Sequence, residues 1–117
     1  DPSHQVEITV EDIGGPSAGL IFALEIYDQL TPGDLTKGYR IAGTGEIYPD
    51  GTVDEIGGVK HKVAAAEREG AEIFFAPAGN AKDASDKAKS IGSKMQVVSV
   101  STMQDALNYL DQLTEKE

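Results

Sequence analysis

From Gly57 onward the hydrophobic pattern changes period at each glycine or polar break, and this alternation limits the architectures open to the chain. Val59, Val63 and Ala66 fall on one face of a helix predicted over about Val59 to Glu69, with Gly70 as the residue that ends it. A strand then reads from Glu72 to Ala76, a helix from about Ala81 to Ile91, and a strand from Gln96 to Val100. The last helix spans about Thr102 to Leu113. Its inward stripe is Met103, Ala106, Leu107, Leu110 and Leu113, with Ser101 or Thr102 as N-cap. Strands that alternate with helices of this length predict an α/β (α+β) layered domain whose C-terminal strands are parallel or mixed.

The first half reads differently. Gln5 to Val10 alternates apolar and polar residues as a half-buried strand does, and a turn follows at Ile13 to Gly15. Pro16 to about Leu30 predicts a helix that is apolar around most of its circumference and so runs through the core, with Pro16 near its first position. Thr31-Pro32-Gly33-Asp34 ends it. Tyr39 to Ile47 and Thr52 to Ile56 then predict a β-hairpin around Pro49-Asp50-Gly51. The sequence shows no internal repeat or low-complexity tract, so residues 1–117 read as one domain, long enough to bury a core of its own.

Charge and composition remove several classes of function. Ten Lys and Arg against 20 Asp and Glu give a net charge of -10, the wrong sign for a surface that binds nucleic acid or anionic lipid. The absence of cysteine rules out disulfides, thiolate metal sites and a thiol nucleophile. No apolar run reaches the roughly 18 residues of a membrane span. The opening Asp1-Pro2-Ser3-His4 has no Met and no signal-like segment, which suggests a domain taken from a longer protein with any anchor upstream.

Two segments could carry chemistry. Gly14-Gly15-Pro16-Ser17-Ala18-Gly19 opens the apolar helix, and Gly57-Gly58-Val59-Lys60-His61-Lys62 opens the second. A serine hydroxyl becomes a nucleophile when a base accepts its proton, and a lysine can be that base if burial keeps its amine neutral. Ser17 at a helix start has free N–H groups and a positive dipole end nearby to hold an oxyanion, and Gly15 and Pro16 shape that turn. Lys60, next to the apolar Val59 and Val63 turn, is placed for burial. Thr44, on the strand between the helices, can orient the lysine, and Glu46 two residues on shares its face.

Each signal alone has an ordinary reading. Gly-Gly-Pro-Ser is commonly a turn and cap, a first-turn lysine is commonly solvated, and Thr44 is an ordinary strand residue. His61 points about 100° away from Lys60 around the helix and reads as a surface residue. His4 lies near the terminus, and Glu11 and Asp12 have no matching ligands, so neither a metal nor a cofactor is assigned.

Taken together, Gly-Pro-Ser17-Ala-Gly, then Thr44-Gly45-Glu46-Ile47, Asp50-Gly51-Thr52-Val53 and Ile56-Gly57-Gly58-Val59-Lys60-His61-Lys62-Val63-Ala64-Ala65-Ala66, closely resemble the proteolytic domain of Lon-type serine proteases. The resemblance spans roughly Val6 to Leu113. It implies that Ser17 is the nucleophile, Lys60 the general base and Thr44 the threonine associated with the lysine, while Lys62 falls on a second basic position. Gly14 stands where many members carry an acid three residues before the nucleophile. The family domain begins with further strands upstream of those in this chain.

The segment from Ile13 to Asp28 looks most like the bacterial Lon-like proteases that lack an ATPase and carry a PDZ domain. That likeness implies membrane anchoring upstream with the protease outside the cytoplasm. The function so implied is a Ser-Lys endopeptidase acting on unfolded or extended polypeptides, needing no cofactor, with ATP used only if another domain supplies it. Two other readings remain at this point: a phosphate- or carboxylate-binding module built on the glycine-rich turn, and a catalytically silent Lon-like domain that serves assembly. Apolar surface near Tyr27 and Tyr109 would either close the core or support a homo-oligomer.

Overall fold

A computed structural model describes residues 18–114. The strand expected over Gln5 to Val10, the turn at Ile13 to Gly15, and Gly15, Pro16 and Ser17 lie outside the described residues. Within them, helix α1 (Gly19–Leu30) is followed by strands β1 (Ile41–Gly43), β2 (Glu46–Ile47) and β3 (Val53–Asp54). Then come α2 (Val59–Arg68), β4 (Ile73–Pro77), α3 (Ala81–Ser90), β5 (Gln96–Val100) and α4 (Met103–Gln112).

β1, β4 and β5 form a parallel sheet in the order β1-β4-β5, with Ile41 opposite Ile73 and Ile73 opposite Gln96. Its central strand is a continuous apolar run, Ile73-Phe74-Phe75-Ala76-Pro77, and all five residues are buried, as a strand covered on both faces requires. Ile73 and Phe75 pack with Leu20, Leu24, Val100, Ala106 and Leu110 under α1 and α4. Phe74 and Ala76 point the other way, to Val59, Val63, Ala66, Ala84 and Ala88 of α2 and α3. The domain is thus a mixed α/β structure with helices on both faces of a parallel sheet, as the alternation predicts.

The C-terminal elements fall close to their predicted bounds, and Thr102 is the N-cap of α4. Its side chain accepts from Asp105 N–H at 3.1 Å while the Asp105 carboxylate accepts from Thr102 N–H, closing a capping box. Tyr109 closes the core by an edge-to-face contact with Phe75, ring centroids 5.9 Å apart.

Two expectations need correction. The predicted long strand Tyr39 to Ile47 is broken after Gly43: its first part joins the parallel sheet, and only Glu46–Ile47 pairs with Val53–Asp54 as a hairpin. The break is at Gly45, whose φ of 144° and close packing exclude a side chain, since a Cβ there would lie 2.6 Å from Val53 Cγ1. Nor does α1 run through the core on all sides. Leu20, Ile21 and Leu24 are buried, but Ile26, Tyr27 and Leu30 are exposed, because the sheet covers one face of the helix only.

Candidate functional site

Parallel strands deliver their C-terminal ends to one edge of the sheet, and four segments meet at that edge here. Thr44 directly follows β1 and continues its ladder, its N–H donating to Phe75 O at 3.0 Å. Two residues beyond Ala42, it lies on the α2 side of the sheet, and it is 1% exposed. At Gly45 the chain turns toward the hairpin, and Gly45 O accepts from Leu20 N–H at 3.0 Å, which brings the start of α1 to the same place. Ala18, the residue after Ser17, is buried at that end.

The third segment is the first turn of α2. This helix returns from the C-terminal edge to the start of β4, so its N-terminal turn lies near Thr44. Gly58 precedes it with φ 73°, and Val59, Val63, Ala65 and Ala66 are buried. At about 100° per residue, Lys62 falls between Ala65 and Ala66 on the buried arc, while Lys60 lies about 100° from Val59 on the open side. Exposure follows this geometry: Lys62 is half-buried, and Lys60 and His61 are exposed. The expectation that Lys60 is buried is therefore corrected.

The surroundings of Lys60 point the same way. It shares a shallow, open depression with His61, Asn80 and Asp83. Its charge also reaches Asp86 on α3: that carboxyl is held below the usual carboxylate range mainly by Lys82, which bonds it at 2.9 Å, with smaller help from Lys89 and Lys60.

The fourth segment is the short 3-10 turn Ala78–Asn80 between β4 and α3. Asn80, 8% exposed, accepts from Ile56 N–H and donates to Ile56 O, both at 2.9 Å, so its side-chain amide pairs with the backbone that leads into α2. Sequence reading did not single out Asn80. Its one local signal is an amide side chain just before a helix.

Glu46 does not share the face of Thr44. The turn at Gly45 moves it into the hairpin opposite Asp54, beside Tyr48, whose hydroxyl donates to Asp54 at 2.9 Å. That bond, the Asp54 charge and the Glu46 charge raise the Tyr48 pKa above its ordinary value. The structure thus brings together the start of α1, Thr44 and the inward side of the α2 turn at one edge, and leaves Lys60 and Glu46 outside that grouping. Among the described residues no helix is long and apolar enough to cross a membrane.

Comparison with known proteins identifies the family of the chain. Residues 8–112 match the family model described as the Lon protease (S16) C-terminal proteolytic domain. A Lon protease of Neorickettsia sennetsu is 38% identical over 95 residues, covering 81% of this chain and 11% of its own length. One from Aster yellows witches'-broom phytoplasma is 35% identical over 94 residues, 80% of this chain and 12% of its own. The chain thus spans only about a tenth of the length of the curated relatives it matches. A match over nearly the whole chain, together with this fold, shows that the chain belongs to the Lon protease (S16) C-terminal proteolytic domain family.

Proposed function

We propose that this domain is a serine endopeptidase in which Ser17 is the nucleophile and a lysine of the first turn of α2 is the general base. The observation that carries the reading is the convergence of the α1 start, buried Thr44 and that turn at one edge of the sheet. Ser17 is one peptide bond from Ala18 at the end of α1 that docks there. In the reaction the lysine amine takes the Ser17 hydroxyl proton as the oxygen attacks a peptide carbonyl. The amine leaves with a proton returned from the lysine, and a water activated by the same base hydrolyses the acyl-enzyme.

The helix offers two bases. Lys60 is the residue the resemblance assigned, but a base must be partly desolvated, and Lys62 is the half-buried one on the inward arc. We therefore assign the role to Lys62, with Thr44 orienting it. The substrates are unfolded or extended polypeptides. The chain contains no Gly-x-x-x-x-Gly-Lys-Ser/Thr motif, so any ATP-driven step would be supplied by another domain. From the likeness over Ile13 to Asp28, the parent protein is of the membrane-anchored, PDZ-containing kind, with this domain outside the cytoplasm.

Cleavage of a fluorescently labelled unfolded protein without ATP tests the chemistry, using full-length wild type, Ser17→Ala, Lys62→Ala and Lys60→Ala. Ser17→Ala and Lys62→Ala are expected to lose at least about 10³-fold in kcat, and Lys60→Ala little. The opposite order for the two lysines returns the base to Lys60. Full activity in Ser17→Ala ends the proteolytic reading. Cell fractionation with protease accessibility tests the location.

A further inference from the structure

The segment that leads into α2 has little of its own to fix it. Gly57 and Gly58 carry no side chains, Gly58 adopts φ 73°, and no side chain caps the helix start. A helix entered through two glycines can tilt and rotate about its axis, and rotation by a fraction of one residue step would carry Lys62 off the inward arc.

The buried Val59, Val63 and Ala66 hold the body of the helix, and two contacts from the turn after β4 fix the segment by which it is entered. The Asn80 side chain makes the reciprocal pair with Ile56 N–H and O, the last residue before the glycines. One residue earlier, Glu55 lies against Gly79 so closely that a Cβ at position 79 would fall 2.2 Å from Glu55 Oε2. Asn80 is itself 8% exposed and held at the start of α3, whose Ala84 and Ala88 pack with Val59 and Val63 of α2. The loop is therefore fixed to a rigid element rather than to another loop.

We propose that Asn80 is a positioning residue for the α2 lysine: by pairing with Ile56 it sets the register in which the first turn of α2 presents Lys62 to the Thr44 edge. This rests on the proteolytic reading and adds to it a residue that would act through the helix rather than on the reacting atoms. Asn80→Ala breaks both bonds. Asn80→Asp keeps the acceptor for Ile56 N–H and loses the donor to Ile56 O. A misplacement of about 1 Å at a reacting group costs about a hundredfold, so Asn80→Ala should lower kcat by about ten- to a hundredfold with little change in KM, and Asn80→Asp should fall between it and wild type.

The test measures kcat, KM and thermal unfolding for wild type, both Asn80 variants and Ser17→Ala in the full-length protein. Met95→Ala serves as a control, because Met95 is buried at the opposite end of the sheet, before β5. Amide hydrogen exchange supplies a readout independent of activity: Asn80→Ala should speed exchange over residues 56–62 while β5 and α4 keep their protection. If Asn80→Ala does not fold, Asn80→Asp carries the comparison. Wild-type kcat in the Asn80 variants, or an equal loss in Met95→Ala at matched stability, overturns the inference while the Ser17→Ala loss keeps the proteolytic reading. Undiminished cleavage by Ser17→Ala overturns the proteolytic reading and the catalytic role of Asn80 with it.

Discussion

Leu20 N–H donates to Gly45 O at 3.0 Å, so the first turn of α1 is tied to the residue at which the chain leaves the parallel sheet. This bond joins the end of the helix nearest Ser17 to the residue after Thr44, and the packing around it is tight enough to respond to one methyl group.

Gly45→Ala should destabilise the domain by about 1–3 kcal/mol, from backbone strain at φ 144° and from the clash with Val53. The midpoint of urea unfolding reads the loss. A variant as stable as wild type would mean the turn at Gly45 relaxes without cost.

Lys37 ties the loop after α1 to the end of α4. It has φ 56°, and its ammonium donates to the carbonyls of Leu110, Asp111 and Leu113 at 3.2–3.3 Å, at the C-terminus of α4. Lys37→Ala keeps the strained backbone and loses the bonds, and should cost about 1–2 kcal/mol. Lys37→Gly loses the same bonds but relieves about 1 kcal/mol of left-handed strain, so denaturant titration should find it the more stable of the two.

Tyr48 gives a pH dependence. The hydrogen bond to Asp54, then the charges of Asp54 and Glu46, raise its folded-state pKa above the unfolded value. The stabilisation is therefore complete below the ordinary tyrosine range, near ~10, and is lost as pH rises through the raised value. The ultraviolet titration difference between wild type and Tyr48→Phe should show this late ionisation, and Asp54→Asn should move it back toward the ordinary value.

Thr102→Ala removes the side-chain half of the capping box and should cost about 1 kcal/mol in thermal or chemical unfolding. Because Thr102 also bridges Thr52, exchange of the hairpin amides should rise more than exchange within β4.

Local pattern carried much of this fold. The run Ile73 to Pro77, the capped start of α4 and the stripe Val59, Val63, Ala66 each declare their type through period and end residues. The partners of Tyr39 to Ile47 were not legible in the same way. Apolar alternation continues across Thr44 and Gly45, while the choice between pairing with β4 and pairing within the hairpin is made by contacts some thirty residues away, on the order of separations no local window spans. The same turn at Gly45 separates Glu46 from Thr44. The orientation of the lysines was legible only in part: Lys62 is three residues after Val59 and four before Ala66, but Lys60 is three before Val63, and the burial of Ala65 is what extends the covered arc toward Lys62. The exposed Ile26 and Leu30 show the limit of composition, since an apolar helix is buried only as far as there are elements to cover it.

The hairpin is completed by the far end of the chain: Val53 N–H donates to Ser101 O at 2.9 Å and Met103 N–H to Gly51 O at 2.8 Å. During synthesis, then, residues 44–62 leave the ribosome several seconds before the strand and helix that seat them, at about 5–20 residues per second. A nascent chain holds the residues of this edge without the edge itself. The order of translation thus delays closure of the hairpin beside Thr44 until β5 and the start of α4 have emerged, a delay that follows from topology alone.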